Sequence, residues 1–322
     1  MRMPFDLRDI MTSGSRIRDE RAKPVRIAVF VDVGAPDTLV DAVQEALRPQ
    51  TGTARLHVEA VAPGETLVVD PSSDAIIALA GDGVTLRTSL DRARESGVPT
   101  IVLGQGNYAD ELSRRFQHPL LDTFTAEEPA ETVVLLGTWL AERLATKRIA
   151  IAANVPFVRR AVAEEAVKAT AFQNGIIGGV AIIPGTDMPL MTANQAKMVL
   201  QIAAAYGQPL GAERVRELSV VLGGGFALRA IARQALTLVP GFGWAVKAAI
   251  GYSGTLAMGY AAIEYFESGA DLSGLAEKLR GARDRAVQAA KTRSLRPVAE
   301  RTPIPAHAYV VVESEQQEVI GS

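Results

Sequence analysis

The chain contains no cysteine among its 322 residues. That excludes disulfides, thiolate nucleophiles and cysteine-ligated metals, and it is compatible with a reducing cytoplasm. Histidine is nearly as scarce. His57, His118 and His307 stand far apart, and no His-x-x-x-His or Glu-x-x-His pair offers a metal site. No serine lies in the Gly-x-Ser-x-Gly context of a nucleophile elbow. Aromatic residues make up only 5% of the chain, and the formal net charge is -2, so no basic field draws nucleic acid. Residues 1–24 lack the apolar core of a signal peptide, which sets the expectation of a cytoplasmic protein. These absences leave no catalytic constellation, cofactor site or metal site to expect.

What the chain does have is Ala, Val, Leu and Gly. Apolar residues reach 48% and the mean hydropathy is +0.13, on the greasy side for a soluble protein. The length suits two modest domains. Residues 1–24, with Arg2, Arg8, Arg16, Arg18, Arg21 and Lys23 against four acidic residues, read as a flexible arm with a weak attraction to anionic lipid as the alternative. Residues 25–123 alternate strands and helices. Arg26–Val31, Ala75–Ala80 and Thr100–Leu103 are apolar runs of buried strands, Ala54–Ala60 alternates, and Thr66–Val69 is a further short strand. Thr38–Leu47 and Thr85–Glu95 repeat at helical spacing. The implied fold is α/β, a small, mostly parallel sheet flanked by helices. Residues 124–294 read as a Gly-rich helical bundle, with helices at Glu127–Leu144, Val158–Thr170 and Asp271–Thr292 and a strand or helix start at Arg148–Ile151. Residues 295–322 form a proline-containing linker and tail, with a possible lone strand at Ala308–Val312.

The turn after the first strand is where an α/β nucleotide binder holds phosphate. A P-loop needs two glycines for the backbone to wrap the phosphates, a lysine to neutralise them and a Ser/Thr for magnesium. Here the first glycine position holds Val31, the second Pro36, and the lysine position Asp37; only Thr38 fits, with Gly34 misplaced between them. An aspartate near a triphosphate repels where a lysine attracts, a swing of several kcal/mol. The order of elements resembles a Ras-like GTPase domain. Val69-Asp70-Pro71 stands where the magnesium-linked turn is expected, and Val102-Leu-Gly-Gln-Gly-Asn107 where the guanine-reading motif is expected, both without its chemistry. The resemblance implies a degenerate, nucleotide-incompetent head. The loops around Asp32, Gly34 and Gly81-Asp-Gly83 fall at strand carboxyl ends, where such folds take ligands.

The second half carries two runs almost free of charge: residues 169–186 have none, and residues 234–263 have only Lys247. Such lengths approach the roughly 20 residues that span a bilayer. The Pro-Gly breaks at 184–185 and 240–241 favour hairpins that enter and return. Gly223-Gly-Gly225 follows a helix, so close helix packing explains it better than a phosphate loop. Glu164 and Glu165 read as solvated. Arg229 and Arg233 share a helix face in apolar surroundings and either meet a carboxylate from Asp187, Glu213 or Glu217 or snorkel to the domain surface.

Asn174-Gly-Ile-Ile, Pro184, Gly185, Asp187, Gln195, Tyr206, Gly207, Gly224, Arg229, Arg233, Pro240, Gly241 and Gly243 then follow in one order. Over residues 155–290 the chain resembles the bacterial domain of unknown function known as family 697, whose members accompany or are fused to GTPase domains. The resemblance implies membrane association on the cytoplasmic side of the inner membrane, a GTPase or pseudo-GTPase partner, and no established reaction.

The expectation is therefore a non-catalytic, membrane-associated adaptor. It has a protein partner, contact with a lipid bilayer through its Gly-rich hairpins, no nucleic acid, and a possible homo-oligomeric state. A soluble cytoplasmic regulator binding a small ligand or nucleotide is the alternative. A divergent NTPase is the third reading, disfavoured by Asp37.

Overall fold

The computed structural model describes residues 7–65, 68–81, 86–104, 119–125, 128–180, 187–208, 210 and 243–269. Its sheet has five strands: β1 (Val25–Asp32), β2 (Ala54–Val61), β3 (Ala75–Leu79), β4 (Thr100–Gly104) and β5 (Leu121–Thr125). All pairings are parallel and the order is β2-β1-β3-β4-β5. β3 and β4 are buried at every position, as uninterrupted apolar runs covered on both faces must be. β2 is one edge, and it carries Arg55, His57 and Glu59, charged or polar groups that discourage further pairing.

Eight helices complete the described residues: α1 (Leu7–Arg21), α2 (Asp37–Ala46), α3 (Leu86–Glu95), α4 (Pro129–Arg143), α5 (Arg148–Asn154), α6 (Arg159–Val180), α7 (Asp187–Ala205) and α8 (Gly243–Glu267). One face of the sheet, through Ala28, Phe30 and Ile76, packs with Ala93 of α3. Ile27, Val29, Ile77, Leu79, Ile101 and Leu103 face the other way, and one continuous apolar core runs from them through α2 and α4 into α1, α5, α6, α7 and α8. Burying each of these side chains stabilises the fold by about 1.5–3 kcal/mol.

Three expectations need correction. Residues 7–21 of the expected N-terminal arm form helix α1. Ile17 is buried in the main core, and the helix packs on α7 and α5. At 66–69, residues 68 and 69 form no strand, while 66 and 67 lie outside the described residues. This stretch belongs to the crossover from β2 to β3, and Val69 packs on the α3 face as it passes. Arg148–Ile151 begins α5. The expected boundary at 123/124 falls inside β5, and α4 packs on α2 and β5. The helix at Asp271–Thr292 and the strand at Ala308–Val312 lie outside the described residues.

Side-chain bonds lock the two halves together. Lys147 Nζ donates to both Asp74 oxygens at 2.7 and 2.8 Å and to the Pro24 carbonyl at 2.8 Å. Asp122 Oδ2 accepts Trp139 Nε1 at 2.6 Å and Arg143 Nη2 at 2.5 Å, fixing α4 to β5. Buried Asn154 bonds Thr51 and Thr53 ahead of β2, and Arg159 Nη2 donates to Gln50 Oε1 at 2.8 Å.

α6, α7 and α8 form a three-helix bundle with α6 antiparallel to the other two. Gly251 lies against Asn174, Gly259 against Val167, and Glu267 against Arg160. The glycines permit this approach: a Cβ at Gly251 would lie 2.5 Å from the Asn174 carbonyl oxygen and 2.7 Å from Met191 Cε. Gly251→Ala is therefore expected to cost about 2 kcal/mol, read as a lower urea midpoint at unchanged m-value. The bundle core is partly polar. Thr255 Oγ1 accepts Asn174 Nδ2 at 3.0 Å and Gln195 Nε2 at 2.9 Å and donates to the Gly251 carbonyl at 2.7 Å. Gln195 Oε1 has no hydrogen-bond partner.

Candidate functional site

In this strand order the chain leaves β1 and β3 in opposite directions. Their carboxyl ends flank the switch point where doubly wound sheets bind ligands. β1 ends at Asp32, only 1% exposed. Its Oδ1 accepts the Gly34 N–H at 3.0 Å and its Oδ2 the Gly81 N–H at 3.3 Å. Backbone amides at such a turn are what an α/β fold offers to a phosphate. Here they hold the chain's own carboxylate. The loops also touch. A Cβ at Gly81 would lie 2.3 Å from the Gly34 carbonyl carbon, so only glycine fits and little room remains between the two turns.

The start of α2 repeats this chemistry. Pro36 precedes it without an N–H, and exposed Asp37 places a negative charge in the first turn, where it complements the helix dipole. Thr38 is exposed and Val31 half-buried beside the main core. Asp70, expected at a magnesium-linked turn, is at the opposite end of the sheet. It precedes β3, accepts the Ser72 N–H at 2.8 Å, and Ser72 in turn bonds Arg26 near the start of β1. β1 separates it from Asp32 by roughly 20 Å. Asn107 and Asp82 lie outside the described residues. Among the described residues no cluster of His, Asp and Glu could hold a metal ion.

The second candidate is the far end of the bundle. In α6 the charged residues Arg159, Arg160, Glu164, Glu165 and Lys168 all fall in its first ten positions, and positions 169–180 carry none. The near end is ionic. Arg160 bonds Glu267 at 2.7 Å and Glu164 at 3.1 Å, and the Tyr206 hydroxyl donates to Glu267 at 2.9 Å. Burial, reinforced by the Glu267 carboxylate, pushes the Tyr206 phenol far above its ordinary value. Gly207, at φ +76°, closes α7 with the paired 208→203 and 207→204 hydrogen bonds of a Schellman motif. At the far end, Phe172, Ile176 and Val180 recur at four-residue spacing and are 56%, 51% and 70% exposed, and Leu190 on α7 is 54% exposed. Beside them Gly175, Gly179, Ala248, Ala249 and Tyr252 form an open apolar groove of about 500 Å³. The spacing was readable in sequence; what hid it was that the same residues could equally have formed a buried helix face.

Of the residues singled out by sequence, Gln195 is in the bundle core, Tyr206 and Gly207 are at its near end, and Gly243 opens α8. Asp187 begins α7, but its side chain, and Pro184, Gly185, Gly224, Arg229, Arg233, Pro240 and Gly241, lie outside the described residues. The pairing expected of Arg229 and Arg233 lies outside them too. Among the described residues no helix is long and apolar enough to cross a membrane.

On the bundle flank, Glu20 of α1 is half-buried. Burial raises its carboxyl above the usual range, opposed by the nearby charges of Lys23, Lys197 and Arg148. The folded state therefore holds the Glu20 proton more tightly than the unfolded one. The stabilisation is present at low pH and is lost as pH rises through the raised pKa. Glu20→Gln is expected to melt above the native protein at pH 7, with the gap closing near pH 4, around the ordinary glutamate value.

No family model matches the chain, and no curated protein is similar to it in sequence.

Proposed function

We propose that this protein is a non-catalytic adaptor that rests reversibly on a lipid bilayer by the apolar far end of its helical bundle and presents the α/β head to a protein partner. The observation that carries the reading is the axial division of α6–α8. Ionic groups gather at the end next to the sheet, and large apolar side chains stand exposed at the other. In sequence the uncharged run continues beyond α6 through Ala181-Ile-Ile-Pro-Gly-Thr186. Exposed apolar patches of this kind mark membrane or protein contacts on otherwise polar molecules.

The head is read as a GTPase-like domain that has lost its ligand. Asp32 fills the amide cradle, and Gly34 and Gly81 close the gap. The likeness of residues 155–290 to the GTPase-associated family fits an adaptor on the inner face of the membrane with a GTPase partner. Flotation with phosphatidylglycerol-containing vesicles tests the attachment. The protein is expected to float with the vesicles and to stay at the bottom without them; failure to float with any vesicle would remove the bilayer from the account. Calorimetry with GTP, ATP and magnesium tests the head, and micromolar binding would overturn its reading.

A further inference from the structure

A different flank of the bundle carries a second, chemically different cavity. Glu20, Arg148, Gln173, Asn194, Lys197 and Gln201 line a space of about 180 Å³ between α1, α5, α6 and α7, floored by Ile149 and Val162. At roughly 30 Å³ per water this holds about six waters, the scale of a molecule with fewer than about ten heavy atoms.

Its polar groups are unspent. Among the described residues, the Glu20 carboxylate, the Lys197 ammonium and the amides of Gln173 and Gln201 make no hydrogen bond or ion pair, although Lys197 is among the cations acting on Glu20. Arg148 is only partly committed: Nε donates to the Ala141 carbonyl and Nη2 stands 3.9 Å from Glu165. Asn194 spends its Nδ2 on Asn174 at 3.0 Å. Both signs of charge thus face one small space without meeting across it. A simple anion there is repelled by Glu20, and a simple cation by Lys197 and Arg148. A ligand carrying both charges satisfies each wall, with the free amides for its polar side chain.

We propose that this cavity binds a small polar α-amino acid, its carboxylate toward Lys197 and Arg148 and its ammonium toward Glu20. The proposal stands independently of bilayer attachment. It makes the helical half a sensor, since the ligand ties α1 to α6 and α7. It also gives a use to Glu20, a half-buried carboxylate that accepts no hydrogen bond among the described residues.

The test is thermal melting of the full chain with each of the standard L-amino acids at 10 mM. The expected result is a rise of about 2 °C or more with one or more of the small polar members. The N-acetylated and carboxamide forms of the same compound are expected to give none, because each removes one charge. Glu20→Gln and Lys197→Gln are each expected to weaken the response at least tenfold in concentration. Glu20→Gln does so while melting higher than the native protein without ligand, which separates lost binding from lost folding. Ile176→Ser, on the apolar groove, is expected to respond as the native chain does. No response to any amino acid overturns the proposal, as does a response that survives N-acetylation or persists unchanged in both variants.

Discussion

Gly81→Ala is expected to lower the unfolding free energy by about 3 kcal/mol, toward the upper end of overpacking costs. The added methyl would meet the carbonyl carbon, oxygen and Cα of Gly34 at 2.3, 2.5 and 2.7 Å. These are backbone atoms, and Gly34 is itself held by Asp32 Oδ1. Relief requires the turn after β1 to move, which strips Asp32 of both amides. Asp32→Asn is expected to cost less, about 2 kcal/mol, because its one carbonyl oxygen still accepts one amide, while the other N–H loses its acceptor and faces the Asn NH2. Urea denaturation of the two variants measures both. A Gly81→Ala protein as stable as the native chain would mean that the turns are free to separate. The crevice would then be a closed conformation of a working site, and the case for a ligand-incompetent head would fall.

The second large effect is on vesicle binding. Phe172, Ile176, Val180 and Leu190 are each half exposed or more. Moving the exposed part of four such side chains out of water is worth about 4 kcal/mol in total. That is close to the strength of a single marginal lipid anchor, so the proposed attachment would be reversible. Replacing Phe172, Ile176 and Val180 together by serine removes most of this and is expected to cut partitioning at least 100-fold. Stability is expected to change by less than about 1 kcal/mol, since the three side chains do not form the core. Unchanged flotation of a folded triple variant would place the binding surface elsewhere.

Much of the head was legible because a doubly covered strand needs an apolar run: β1, β3 and β4 could be read from their residues alone. α1 was hidden for the opposite reason. It sits among many charges, and Ile17, the buried apolar anchor among its described side chains, is too little periodicity to distinguish a docked helix from a solvated arm. The order of strands and helices suggested a GTPase frame, yet only geometry separates Asp70, at the amino ends, from Asp32, at the carboxyl ends. The sequence marked Asp32, Gly34 and Gly81 as lying near a ligand position. That the aspartate occupies the position depends on a local hydrogen bond from Gly34 and on one from Gly81 across 49 residues, and no local pattern encodes the second. The bundle end was half legible. The uncharged run at 169–186 raised the question of a membrane; the structure shows Phe172, Ile176 and Val180 exposed on α6 and, among the described residues, no helix long and apolar enough to cross one.

Because the chain has no cysteine, a single one introduced at position 176 takes a solvatochromic label at one site. The measurement that bears most directly on the account compares that label with one at position 57, on edge strand β2, as vesicles are added. The account predicts a blue shift and protection from aqueous quencher at 176 and neither at 57. Equal responses at the two positions, or none at 176 while the protein floats, would contradict attachment by the apolar end.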